Sequence, residues 1–181
     1  MLFQPKQITL KNGAAATLRS AEPSEAAEML AWLRRTAGET EFIIFYPEEC
    51  DMPVEVEAGF IERLNGSPNE MMIVCYVDGE MAGNCQLALN SAIKTRHRGS
   101  VSIGIAEKFW GLGIGTAMFT ELIDAARERG VTQLELDYID GNERAAALYR
   151  KIGFEQYGRK PNGARLRDGS FRDYIMMVKY L

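Results

Sequence analysis

Three glycines fall within five residues of the stretch Phe109–Met118, FWGLGIGTAM, at Gly111, Gly113 and Gly115. An amphipathic run follows, with Ile114, Ala117, Met118, Leu122 and Ala125 on one helical face. Gly113 and Gly115 therefore belong to a helix N-terminus, where the first turn leaves N–H groups free and the helix dipole favours negative charge. Bare glycine backbone lets an anion approach those groups closely, and a phosphate or pyrophosphate is the natural occupant. Three readings compete: a phosphate cradle, a dinucleotide-binding turn, and a tight turn that merely packs. A P-loop needs Gly-Lys-Ser/Thr at the helix start, and GIGT has no lysine. A dinucleotide fingerprint finds its first two glycines in Gly111 and Gly113, but Thr116 stands at its third; Glu135 or Asp137, about 20 residues on, would mimic the ribose-binding acid.

The elements that must position this run can be read around it. QITLKNGAAATLRSA is a hairpin about Asn12-Gly13, and Pro23 opens a helix that runs to about Arg35. Thr36–Pro53 is irregular, broken by Gly38, Pro47 and Pro53, and VEVEAGFIERLNG is a second helix ended by Gly66. A second hairpin turns on Asp78-Gly79, and the basic loop KTRHRG leads into the strand SVSIGIA. After the glycine run come a helix to about Arg129, the strand TQLELDYI, a helix ended by Gly153, and the strands EQYGRK and FRDYIMMVKYL. This order implies a mixed α/β (α+β) fold, helices flanking a largely antiparallel sheet, as a single domain over 1–181. With 46% hydrophobic and 25% charged residues, the chain has a globular profile. Its 21 basic and 25 acidic side chains give a net charge of −4, which gives no support to nucleic-acid binding. No apolar run approaches membrane-spanning length and no signal peptide is evident, so the expected compartment is the cytoplasm. Cys50, Cys75 and Cys85 are too few for a disulfide framework, and no CxxC pair suggests a metal.

Taken together, SVSIGIAEKFWGLGIGTAMFTELIDAARERGVTQLELDYIDGNERAAALYRKIGFEQYG resembles the core of the GCN5-related N-acetyltransferases, the GNAT superfamily. That family's pyrophosphate motif, Gln/Arg-x-x-Gly-x-Gly/Ala, reads here Trp110-x-x-Gly113-x-Gly115, with tryptophan replacing a polar side-chain donor. The second match is Asn142 with Ala145, Leu148, Tyr149 and Gly153-Phe154. The resemblance implies a splayed sheet with a V-shaped opening beside Ser100–Ala106, acetyl-CoA as co-substrate with no metal, and a primary amine, on a small molecule or a peptide, as acceptor. It implies that Gly111, Leu112, Gly113, Ile114, Gly115 and Thr116 surround the pyrophosphate, and that Ile103, Gly104 and Ile105 run beside pantetheine. It further implies that Asn142 contacts the coenzyme and that Tyr149 is the general acid; a homodimer is an expectation on family grounds only.

The chemistry is consistent from below. Asn142 and Tyr149 lie two turns apart on one helical face, about 10 Å along the axis. Tyr149 also reads as a core residue beside Ala145, Leu148 and Ile152, and Asn142 as a helix N-cap. A phenol of pKa about 10 can protonate a departing thiolate of pKa about 8.5. For the general base, Glu107, just past the strand, is the first candidate, followed by Glu135 and Asp137. His97 stands among Lys94, Arg96 and Arg98, residues that could also meet coenzyme phosphates, and reads as a surface-loop histidine. By analogy with the family, the acceptor is expected in the Thr36–Pro53 segment and the C-terminal hairpin; the first carries Glu39, Glu41, Glu48, Glu49 and Asp51 among Phe42, Phe45 and Tyr46, which suit a cationic amine. A non-catalytic acyl-CoA-binding or sensing module on the same fold is the alternative reading.

Overall fold

The computed structural model describes Met1–Leu181. The two short-turn signals form as read: β1 (Lys6–Thr9) and β2 (Ala15–Arg19) flank Asn12-Gly13, and β3 (Glu70–Val77) and β4 (Glu80–Leu89) flank Asp78-Gly79. A single turn at Pro23–Glu25 leads into α1 (Ala26–Glu39), which runs through Gly38 and past the expected end at Arg35. Thr36 and Ala37 are buried, so packing of the last turn outweighs the roughly 1 kcal/mol that glycine costs a helix. After another single turn at Pro47–Glu49, α2 (Val54–Gly66) lies beside α1.

β5 (Arg98–Ile105) and α3 (Ile114–Glu128) enclose the glycine run, followed by β6 (Gln133–Ile139) and α4 (Glu143–Ile152). The closing strands are β7 (Glu155–Arg165) and β8 (Phe171–Tyr180). β7 continues through Pro161, five residues beyond its expected end, because it is an edge strand and its register slips between Lys160 and Ala164.

All eight strands form one sheet in the order β1-β2-β3-β4-β5-β6-β8-β7. Only β5 and β6 run parallel. Their pairing covers Arg98↔Gln133, Gly99↔Leu134 and Ser100↔Glu135, and then stops. From there β5 pairs with β4 alone, as in Gly83↔Ile105, and β6 with β8 alone, as in Ile139↔Tyr174. The facing edges Val101–Ile105 and Leu136–Ile139 diverge, which is the splayed opening expected beside Ser100–Ala106.

Helices α3 and α4 cover one face of the sheet over the larger core, which includes Phe119, Leu122, Leu134, Tyr149 and Phe154. Helices α1 and α2 cover the other face over a smaller core around Trp32, Ile61, Met72 and Met81. Cys50, Cys75 and Cys85 are buried free thiols, and no helix is long and apolar enough to cross a membrane.

Candidate active site

Where β5 and β6 part, a cavity of about 680 Å³ opens. Val101–Ile105 of β5 form one side; Asp137 and Tyr138 of β6, with Asn142, Arg144, Leu148 and Tyr149, form the other. The start of α3 closes one end, and Thr40, Phe42 and Ile43 border the cavity from the segment after α1.

Gly113 is the N-cap of α3, at φ +97°, a left-handed backbone that a β-branched side chain would strain. The first helical bond runs from the Ala117 N–H to the Gly113 carbonyl, so the N–H groups of Ile114, Gly115 and Thr116 have no helical acceptor. No side chain caps them. Gly115 is bare for a different reason: a Cβ there would lie 2.8 Å from Leu148 Cδ2 and 3.3 Å from Ile105 Cδ1, so α3, α4 and β5 meet over it. Gly111 borders the cavity, whereas the Leu112 side chain packs on the main core and its carbonyl accepts from the Lys11 N–H at 3.0 Å. Trp110 keeps a donor at the motif's first position, but spends it inside the β5–α3 connection: the indole N–H donates to the Ile105 carbonyl at 2.7 Å. Arg144 lies over that ring, 4.3 Å from its centre.

Tyr149 is packed as a core residue and also borders the cavity. It is 7% exposed, with the rings of Phe119 and Tyr138 each 5.7 Å away and Phe154 at 6.3 Å. Its hydroxyl has no protein hydrogen-bond partner, yet is not sealed off, and the residue borders the cavity. Burial pushes the phenol up to about 12, with Tyr138 and Asp137 adding to the effect. Asn142 likewise does two things: its Oδ1 accepts from the Ala145 N–H at 3.1 Å as the N-cap of α4, and it borders the cavity.

The structure separates the three candidate bases. Glu107 is exposed, does not border the cavity, and lies on a turn whose backbone N–H donates to Glu39 at 2.7 Å. Glu135 accepts from the Arg98 guanidinium in two bonds of 2.7 Å. Asp137 alone among them borders the cavity. His97 is exposed, and offers its carbonyl to the Thr132 and Gln133 N–H groups. Arg98 opens β5, and Lys94 and Arg96 lie in the turn before it, with about 23 Å of strand between Arg98 and the Ile105 end that leads to the cradle.

The cations that do border the cavity are Lys11, Arg144 and Lys151, which motif spacing did not single out. Within the expected acceptor segment, the ring of Phe42 approaches Gly141. Tyr46 is held by Arg167, whose backbone N–H donates to the phenol at 3.0 Å and whose guanidinium lies 4.1 Å from the ring. Arg167 also pairs with Glu48, so the segment is fastened to the β7–β8 turn.

Comparison with known proteins places this geometry. The sequence model of the acetyltransferase (GNAT) family matches residues 26–154. The chain belongs to that family. A GNAT acetyltransferase from Streptococcus pneumoniae superimposes with a TM-score of 0.85 at 29% identity, covering 92% of this chain and 99% of that one. The ribosomal-protein-alanine N-acetyltransferase of Brucella melitensis does so with a TM-score of 0.77 at 27% identity, covering 91% and 99%. Among characterised sequences, the L-amino acid N-acetyltransferase AaaT of Escherichia coli strain K12 is 26% identical over 119 residues, 65% of this chain and 73% of that protein. This GNAT chain is thus an acetyl-CoA-dependent acyltransferase, and its open, mostly antiparallel sheet is that of its relatives.

Proposed function

We propose that this acetyltransferase moves the acetyl group of acetyl-CoA directly to a primary amine, with both substrates held together in the cavity between β5 and β6. The observation that carries the reading is that one cavity joins three features: unpaired N–H groups at the start of α3, an unpaired edge of β5, and the unpartnered hydroxyl of Tyr149. The cradle fits an anion, since it has unpaired N–H groups with no Cβ at Gly113 and is flanked by Lys11 and Lys151. A pyrophosphate there would lead pantetheine along Ile103–Ile105, where free backbone groups of β5 can pair with its amides, while Asn142 meets it from α4. The dinucleotide reading has less support, because the glycine run enters a largely antiparallel sheet rather than a parallel βαβ array.

As the amine nitrogen bonds to the thioester carbon, negative charge grows on the carbonyl oxygen, and a fixed N–H of β5 stabilises it. The C–S bond then breaks and its electron pair leaves on sulfur. Tyr149 donates to that sulfur. Its phenol, held near 12, keeps its proton throughout neutral pH and stabilises the thiolate as a hydrogen-bond donor. The nitrogen sheds two protons on the way to the amide: Asp137 takes that of the acceptor ammonium, directly or through a water, in place of Glu107, and the proton lost after attack ends on the departing sulfur as free thiol. The relatives' names give an L-amino acid and a ribosomal-protein alanine as acceptors, and an α-amine or other primary amine suits the same chemistry.

The test is release of free thiol from acetyl-CoA by the purified protein against a panel of amino acids, polyamines and peptides, with calorimetric titration of the coenzyme. Turnover with one acceptor class supports the proposal. Tight coenzyme binding without transfer would leave the acyl-CoA-binding module as the better reading, and neither binding nor turnover would overturn both. NADH, titrated beside acetyl-CoA, should be the weaker ligand.

A further inference from the structure

The hairpin β1–β2 lies outside the segment that matches the family, and its sheet position is the far edge from β6. Its tip nevertheless reaches the coenzyme cradle. The Lys11 N–H bonds to the Leu112 carbonyl at 3.0 Å, and the aliphatic stem of Lys11 passes over Gly113, with Cγ 3.6 Å from the place a Cβ would take. At the other end of the Gly113–Thr116 stretch, Lys151 of α4 sets its ammonium 3.2 Å from Thr116 Oγ1, in the first turn of α3. Both lysines are exposed, both border the cavity, and neither has a carboxylate partner. The acids that border the same cavity are Asp137, on β6, and Glu143, in the first turn of α4. A net-acidic chain thus places two free cations on either side of three unpaired N–H groups.

We infer that Lys11 and Lys151 form a two-sided clamp on the coenzyme pyrophosphate, and that bound coenzyme fastens the N-terminal hairpin to α3. The inference rests on the acetyltransferase reading and adds a wall to its donor site. The helix start supplies directional N–H donors and a partial positive charge, while the lysines supply full charges that follow the phosphates wherever the oxygens turn. Lys11 also couples two elements: an anion held by both its ammonium and the Ile114–Thr116 N–H groups ties the hairpin tip to the helix.

Calorimetry and hydrogen exchange test this on the whole protein with CoA, 3′-dephospho-CoA and pantetheine. Lys11→Gln and Lys151→Gln should each weaken CoA roughly five- to tenfold, and 3′-dephospho-CoA by the same factor. Lys11→Arg should restore most of the affinity. CoA should slow exchange at the 10–14 tip in the wild type, pantetheine should not, and Lys11→Gln should abolish the difference. Wild-type affinity in both glutamine variants, or a tip whose exchange ignores CoA, would overturn the clamp. A loss seen with CoA but absent with 3′-dephospho-CoA would move the lysines to the 3′-phosphate and overturn the pyrophosphate assignment. If the wild type itself binds no CoA, the acetyltransferase reading fails first, and the clamp with it.

Discussion

At the level of single residues, the proposed site is built from side chains that also hold the fold together. Tyr149→Phe keeps the ring among Phe119, Tyr138 and Phe154 and removes only the donor. Coenzyme affinity should stay near wild type while kcat falls roughly 10²-fold, measured by thiol release at saturating acceptor. Burial raises the Tyr149 phenol to about 12, so its protonated form persists well above neutrality. The wild-type rate should therefore climb as the acceptor amine deprotonates and show no descending limb from Tyr149 below about pH 11; a fall near pH 10 would mean an ordinary phenol. The two motif glycines part company on the same test. Gly113→Val strains a left-handed N-cap and puts methyl groups against the Lys11 stem and the cradle, so KM for acetyl-CoA should rise far more than kcat falls. Gly115→Ala instead drives a Cβ into Leu148, and should lower stability by about 1–3 kcal/mol in urea unfolding. The glycine run, Asn142 and Tyr149 were legible in the sequence because each motif is local and closes within one helix start or one helix face. Lys11, Lys151 and the standing of Asp137 were not, since residues far apart in the chain meet at the cavity and no periodicity encodes their meeting. Glu107 looked suitable for its nearness in sequence to the reactive strand, but it sits exposed on the turn after β5 and does not border the cavity.

Among the elements, β5 is the one whose placement matters most, and it is set from outside the site. A Cβ on Gly104 would lie 2.8 Å from Trp32 of α1, so the bare strand lets the indole seat against it. Gly104→Ala should displace that edge of the cavity: a lower melting temperature together with weaker acetyl-CoA binding is expected, and a melt change without a binding change would show that the strand's position is not critical. The connection from β5 to α3 is pinned further by Glu80, which pairs with Arg35 at 2.9 Å and with Lys108, and by Glu39, which accepts from the Glu107 N–H. These pairs are half exposed, so their worth is positional more than energetic. Asn142→Ala removes the cap of α4 and should cost about 1 kcal/mol, read as a shift in the unfolding midpoint. Strand and helix identities were readable from turn signals and periodicity; the lengths of α1 and β7 were not, because packing carried one through a glycine and an unpaired edge tolerated a proline in the other.

For the molecule as a whole, the buried thiols set a limit at high pH. Burial pushes the Cys75 thiol up to about 12 and raises Cys85 as well. Both pKa values are raised on folding, so their contribution is fully present below the unfolded thiol range of about 8.5 and is lost as pH climbs above it toward the folded value. Urea unfolding should show stability declining between pH 8.5 and 11, beyond what Tyr149 and the other phenols account for above pH 10, and Cys85→Ala should flatten that decline. The partly parallel sheet has another consequence. Strand pairing between two plates, one made of β1 to β5 and the other of β6, β8 and β7, is confined to Arg98–Ser100 and Gln133–Glu135, with the His97 carbonyl accepting just ahead of it. Each plate is laced internally by long antiparallel ladders, so under load the molecule should yield along this short seam before either plate unravels. The cradle belongs to the helix that follows the first plate, and Asn142 and Tyr149 belong to the helix that joins β6 to β7 within the second. A coenzyme lying between them is mortar across the joint: the loaded protein should resist mechanical extension and proteolysis at the seam, and product release would return it to its most pliant form.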